Sequence, residues 1–205
     1  MSVPLVFVQA RMASARFPGK ALVPLAGKPV IEHVLDRVAK AGYLDQIVLC
    51  TTRDHSDDPL AWFAERFDLK VYRGSAENVV LRFQEALAEY PCERFFRVCG
   101  DSPLLDPRLF ERFLAVDDNA DLVTNTFPRT FPKGQSLELI RSDTFAALDS
   151  ASLTPKQMEH PTKVFYEKRY RIVNVRCDER EWFIHSRGDT AVDTMTDLRR
   201  IEGML

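Results

Sequence analysis

The sequence predicts an α/β fold, a doubly wound three-layer sandwich around a mainly parallel sheet. Three observations predict it. Short β-branched apolar runs alternate with amphipathic stretches through the first two-thirds of the chain, a rhythm that builds parallel strands joined by helical crossovers. Several runs are apolar almost without a break, such as VPLVFVQ and QIVLCTT, which suits strands covered on both faces. The residues of most chemical interest fall directly after those runs, where open α/β sheets hold their ligands.

Residues 3–9 read as a buried strand. Residues 28–42 read as a helix: Pro29 suits the first turn, Ile31, Val34, Leu35 and Val38 give one apolar face, and Gly42 suits the stop. A second strand at 46–52 leads to a helix at 57–67, capped by Asp57 or Asp58 ahead of Pro59. Then come a short strand at 70–73, a helix at 77–90, a strand at 94–99, a helix at 107–116 and a strand at 120–126. The last third continues with a strand at 136–140, a helix at 142–150 and a helix at 154–168 broken at Pro161. A strand at 170–177 follows, and the run at 190–193 leads to a terminal helix at 198–205. With no linker or repeat, residues 1–205 are expected to form a single domain. A chain of this length buries about 70% of its unfolded surface without staples.

The formal net charge is −2, from 28 basic and 30 acidic residues, so no bulk attraction to nucleic acid is expected. Any polyanion must be held by a local basic cluster. The cysteines show no CxxC pair and no histidine at zinc-ligand spacing, so buried free thiols are expected. No apolar run approaches the ~20 residues of a membrane span. The start MSVPLVFVQA lacks a basic leader region and a small-residue cleavage site. A cytoplasmic protein without a membrane partner is expected.

Three segments carry candidate chemistry. The first, QARMASARFPGK, follows the first strand and brings Arg11, Ser14, Arg16 and Lys20 together ahead of and after a Pro-Gly turn. Backbone N–H groups of such a loop form an anion cradle, arginine forks bind phosphate oxygens and lysine adds a compact charge. It is not a P-loop, because Ser14 replaces the first glycine and Ala21 follows the lysine. A solvated basic loop is the plainer reading. The second segment is Gly100-Asp101-Ser102-Pro103, after the fourth strand. Its carboxylate is placed to hold Mg²⁺, which takes one or two carboxylates plus phosphates and water; a simple turn is the alternative. The third is Asp193, whose plainer role is capping the last helix. Two separated carboxylates and a basic loop are the minimum set for phosphoryl chemistry, which needs charge neutralisation and positioning more than a nucleophile.

The loop QARMASARFPGK, the turn CGDSPLLDP and the end AVDTMTDLRRIE, in that order, resemble the cytidylyltransferase family, which includes CMP-sugar-acid synthetases and spore-coat polysaccharide-type members. Weaker agreement lies at Arg73-Gly74-Ser75, Asn125-Thr126, Gly134, Glu138 and Glu159-His160. The resemblance implies the nucleotide-diphospho-sugar transferase fold and transfer of CMP from CTP to a small acidic acceptor, a sugar acid above all, with release of pyrophosphate. It implies that Arg11, Ser14, Arg16 and Lys20 hold the triphosphate and that Ala10 and Arg73 lie near the base. Asp101 and Asp193 would bind Mg²⁺, and Asn125, Glu138 and His160 would touch the acceptor. It implies a homodimer, with residues 136–190 partly a dimerisation and acceptor-side extension. Two positions depart from the spore-coat pattern and are expected to face the acceptor: Leu81 stands for an aspartate and Ser136 for an acid.

Two other readings stay open. A glycosyltransferase using a nucleotide sugar on the same fold would carry a compact Asp-x-Asp, and Gly100-Asp101-Ser102 lacks the second acid. A non-catalytic nucleotide-binding homologue would fit the departures at 81 and 136. His33, His55 and His185 read as solvated, and Phe127, Phe131, Trp182 and Phe183 as core or dimer surface. The basic stretch 163–171 reads as a solvated helix face.

Overall fold

The computed structural model describes residues 2–116, 119–167, 169–177 and 188–205. Its strands are β1 (Leu5–Gln9), β2 (Pro24–Leu25), β3 (Lys28–Pro29), β4 (Ile47–Thr52), β5 (Lys70–Gly74), β6 (Arg94–Cys99), β7 (Leu122–Thr124), β8 (Leu137–Arg141) and β9 (Ile172–Asn174). Its helices are α1 (Val30–Lys40), α2 (Asp58–Arg66), α3 (Val79–Glu89), α4 (Arg108–Leu114), α5 (Ser142–Ala146), α6 (Pro155–Glu159), α7 (Lys163–Glu167) and α8 (Met195–Glu202). A 3₁₀ turn, Lys20–Leu22, ends the first loop.

Seven strands form one sheet in the order β5-β4-β1-β6-β8-β7-β9. Four of its six pairings are parallel, and β8 runs antiparallel to both β6 and β7. Every residue of β4 is buried, and Val6, Phe7 and Val8 of β1 have no exposed surface, as the unbroken apolar runs require. Helices cover both faces. One apolar layer gathers Val34, Val38, Phe96 and Phe110, and the other gathers Phe7, Phe83, Phe95 and Phe145.

β8 lies between β6 and β7, because the chain after β7 turns back through residues 125–136 and enters the sheet antiparallel to both. The winding also reverses direction at β1. The units β1-α1-β4-α2-β5 step to one side, and β6 opens the other. The loops leaving β1 and β6 therefore diverge above neighbouring strands, the usual place for a ligand crevice.

Of three local features, two differ from expectation and the break at Pro161 agrees with it. The helix expected from residue 28 starts at Val30, because Lys28 and Pro29 pair with Pro24 and Leu25 in a small hairpin. The helix expected at 154–168 breaks into α6 and α7, since Pro161 has no N–H and forces His160 out of the helical region. The terminal helix starts at Met195 and not at 198, because Thr194 and Asp197 form a reciprocal capping box. The hairpin and α8 meet through Leu25, Val30, Val192, Leu198 and Ile201, each worth about 1.5–3 kcal/mol when fully buried. That contact holds Val192, and hence Asp193, over the sheet.

Among the described residues no cysteine is in a disulfide; Cys50 is buried as expected, whereas Cys92, Cys99 and Cys177 are only partly buried. Among the described residues no helix is long and apolar enough to cross a membrane.

Candidate active site

The loop after β1 and the turn after β6 approach closely because position 100 is glycine. A Cβ there would lie 2.8 Å from the Ala10 side chain and 2.8 Å from Ile31. The segment carrying Asp193 joins them through a backbone bond, the Val192 N–H donating to the Asp101 carbonyl at 2.8 Å. Gly134 does the same at the back, where any Cβ would sit 2.3 Å from the Thr190 carbonyl carbon. Buried Gln135 fastens three segments: it donates to Leu104 O and Thr190 Oγ1 and accepts from the Asp106 N–H.

The result is a cavity of about 280 Å³ lined by Ala10, Arg11, Ser14, Arg16, Lys20 and Asp101 among others, with Asp193 and Glu159 at its edge. Lys20 Nζ lies 2.6 Å from Asp101 and 2.9 Å from Asp193, and Arg16 lies 2.9 Å from the second oxygen of Asp193. Burial opposes the Lys20 charge, but Asp101 and then Asp193 outweigh it, so the ammonium titrates above the ordinary lysine range. Arg11 reaches towards Glu159 at 3.8 Å.

A second cavity of about 610 Å³ adjoins the first, with Cys99 in the wall of both. Arg97, Glu138, Thr162 and Tyr166 lie at its base, with Arg129, Ser136, His160 and Lys163 around it. Glu138, only 3% exposed, pairs with Arg97 at 2.6 Å and accepts the Thr162 hydroxyl at 2.7 Å. Phe127 stacks on Tyr166 with ring centroids 4.2 Å apart. Burial pushes the His160 imidazole below its ordinary pKa, so it is neutral at pH 7. Burial likewise raises the Cys99 thiol, which leaves it protonated at neutral pH.

Truncating Glu138 would strand a buried guanidinium. Glu138→Ala is expected to lower the unfolding free energy by about 3–5 kcal/mol, measured by urea denaturation. A loss under 1 kcal/mol would show that Arg97 finds another partner.

The structure thus gathers Ala10, Arg11, Ser14, Arg16, Lys20, Asp101 and Asp193 at one cavity and Glu138 and His160 at the next. Arg73 and Asn125 line neither. Arg73 pairs with Asp58 at 2.6 Å and donates to the carbonyls of Thr52 and Asp54, so it braces the β4–α2 loop. Asn125 is fully buried; its amide donates to Gln135 O and accepts from the Leu137 N–H. Gln135 in turn bonds Thr190, three residues before Asp193. Leu81 lies in the first turn of α3 and lines neither cavity, contrary to expectation, whereas Ser136 lines the larger one and accepts from Arg129 at 3.0 Å. Phe131 is core; Trp182, Phe183 and His185 lie outside the described residues.

Residue reasoning missed Asp57, read as a helix cap. Its carboxylate takes no cap bond and instead accepts from the Met12 N–H, the Thr51 hydroxyl, and the N–H and hydroxyl of Thr52. Two successive threonines at the end of a buried strand were the available signal. Arg97 was missed as well; a cation in the middle of an otherwise apolar strand could have flagged it.

The family model described as cytidylyltransferase matches residues 5–187. The chain belongs to the cytidylyltransferase family. A cytidylyltransferase structure from Leptospira borgpetersenii superposes with a TM-score of 0.87 at 26% identity, covering 97% of this chain and 84% of that one. The spore coat polysaccharide biosynthesis protein SpsF of Bacillus subtilis is 26% identical over 98% of this chain and 85% of its own length. A 3-deoxy-manno-octulosonate cytidylyltransferase of Geobacter metallireducens is 32% identical over 108 residues, 53% of this chain and 42% of its own length. The matched segment thus spans less than half of that relative. The smaller cavity presents three cations, Arg11, Arg16 and Lys20, and three carboxylates, Asp101, Glu159 and Asp193.

Proposed function

We propose that this cytidylyltransferase-family chain transfers CMP from CTP to a small acidic acceptor, a sugar acid, and releases pyrophosphate. One observation carries the reading: Arg11, Arg16 and Lys20 face the same cavity as Asp101 and Asp193. A polyphosphate and a divalent cation are the ligand pair that uses both charge signs at once.

The residues fit Mg²⁺. Asp101 and Asp193 are about 28% and 29% exposed at the side chain and share one cation, Lys20 Nζ, so two hard oxygen donors already converge on one point. Mg²⁺ held by Asp101 and Asp193 would supply charge neutralisation on the phosphate oxygens. Arg11, Arg16 and Lys20 bind the triphosphate, with Ser14 and the loop's N–H groups beside them. They stabilise the charge that builds on the leaving pyrophosphate, the dominant catalytic contribution in such a site. Ala10, at the end of β1, lies on the nucleoside side. The acceptor occupies the larger cavity, where Arg129 and Lys163 offer charge to a carboxylate and Thr126, Ser136 and Tyr166 offer hydroxyls. Its attacking oxygen reaches the α-phosphorus past Cys99, which divides the two cavities. Neutral His160, with its lowered pKa, offers a hydrogen bond or accepts a proton there. Residues 136–190 supply much of this acceptor side.

The deciding experiment is a thermal-shift series with CTP, UTP, GTP and ATP, each with and without Mg²⁺. A ligand that binds only the folded chain raises its melting temperature. A CTP-selective, Mg²⁺-dependent shift, followed by pyrophosphate release with sugar acids, supports the reading. A shift with nucleotide sugars alone would overturn it in favour of glycosyl transfer.

We also propose a cytoplasmic homodimer built in part through the last third of the chain. Phe127, just ahead of that third, supports it as an aromatic 51% exposed beside the acceptor cavity. Light scattering at micromolar concentration is expected to give twice the monomer mass, and a monomer would remove the claim.

A further inference from the structure

We infer that Asp57 is the positioning residue of the triphosphate loop, acting through the backbone of Met12. The inference rests on the CTP reading for its functional consequence but not for its structural one. Residues 11–19 are wound around the Met12 peptide: its carbonyl accepts from the Ser14 N–H at 2.9 Å and the Gly19 N–H at 2.8 Å. The Met12 N–H donates to Asp57 Oδ1 at 2.6 Å. Among the described residues this is the one hydrogen bond that ties the backbone of 11–19 to another segment. The backbone of the loop that carries Arg11, Ser14 and Arg16 is therefore tied through a single carboxylate oxygen, beside the side-chain contacts of Arg11 and Arg16.

That carboxylate is itself immobile. Asp57 is 1% exposed, and its other oxygen accepts from Thr51 Oγ1 at 2.9 Å, Thr52 N at 3.0 Å and Thr52 Oγ1 at 2.5 Å. Both threonines end β4, the strand beside β1. The loop is thereby referenced to the sheet. Buried charge-assisted bonds of this kind hold geometry tightly, and sub-ångström placement of phosphate-binding groups strongly affects rate.

The division of donors, one on Oδ1 and three on Oδ2, gives a selective test. An amide at position 57 cannot accept from the Met12 and Thr52 N–H groups at once. With its oxygen on the three donors of β4, where all three bonds are kept, the Asp57→Asn side chain sets its NH₂ against the Met12 N–H, so donor faces donor and the loop is released. We expect amide hydrogen exchange across residues 11–19 to accelerate selectively, because freed segments open locally. Affinity for CTP should fall about tenfold to a hundredfold, with KM rising more than kcat falls. Thr51→Val removes one donor on the β4 side only; it should lower the melting temperature and leave CTP affinity unchanged.

If Asp57→Asn loses stability while loop exchange and CTP affinity change no more than in Thr51→Val, Asp57 is merely structural and the inference fails. Should that variant not fold, the wild-type protein decides alone. The Met12 amide must exchange far more slowly than those of Ala13, Ala15 and Arg16, which have no acceptor among the described residues; equal rates overturn the inference. Absence of CTP binding by the wild type would sink the functional reading and leave the exchange test intact.

Discussion

Asp101→Asn and Asp193→Asn are each expected to abolish turnover, lowering kcat at least about a thousandfold, some 4 kcal/mol of transition-state stabilisation. The fold should survive. Neither carboxylate is in the core; both are partly exposed, and among the described residues their side chains bond to Lys20, Arg16 and their own turns. An asparagine oxygen can still accept from the Lys20 ammonium, so the local geometry is retained while a full negative charge is lost. The melting temperature should move by a few degrees at most. The discriminating measurement is pyrophosphate release from CTP and a sugar acid at saturating Mg²⁺. A fully active Asp193→Asn protein would refute the assignment of metal ligands, since a residue that only leads into a helix tolerates the change. The capping of α8 argues the same way: Thr194, not Asp193, closes that helix end.

Lys20→Met should fall nearly as far, with kcat/KM down about a thousandfold. Lys20 is the buried centre of the site, with its side chain only 13% exposed. Methionine keeps most of the stem and removes the charge, so the effect reports on electrostatics and not packing. The variant also has a signature in pH. Because Lys20 titrates above the ordinary lysine value, its protonation contributes stability that is fully present below about pH 10.4 and is lost as the pH rises through the raised folded value. Lys20→Met should be less stable at neutral pH, and the gap from wild type should shrink on strongly alkaline titration. A constant gap across that range, measured by denaturant midpoints, would show that the two carboxylates do not hold the Lys20 proton.

Much of this was legible in the residues. The strands at β1, β4 and β6 and the helices α1 to α4 follow from local periodicity and punctuation, which the chain carries in runs of ten residues or so. The cluster of Arg11, Arg16 and Lys20 with Asp101 and Asp193 was legible too, because each follows a strand and a doubly wound sheet brings strand ends together. Strand order was not. The insertion of β8 between β6 and β7 depends on pairings between distant segments, and nothing in the run 136–141 states its neighbours. Asp57 was hidden by ambiguity: an aspartate ahead of a helix with proline in its first turn has the ordinary composition of a cap, and only the burial of Thr51 and Thr52 redirects it. Asn125 failed in the opposite sense. Buried amides clamp turns as often as they meet ligands, and the short 125–135 excursion gave Asn125 a carbonyl and an N–H of its own chain to bind.

The break between α6 and α7 places two successive residues on opposite sides of a partition, Glu159 facing the smaller cavity and His160 the larger. The two halves of the site are therefore not modular at this elbow. Redesign of acceptor choice can proceed through Arg129, Ser136 or Lys163, which line the larger cavity alone. An insertion or deletion at the elbow cannot be confined in that way, because a one-residue slip would carry either Glu159 into the larger compartment or His160 into the smaller and so alter both at once.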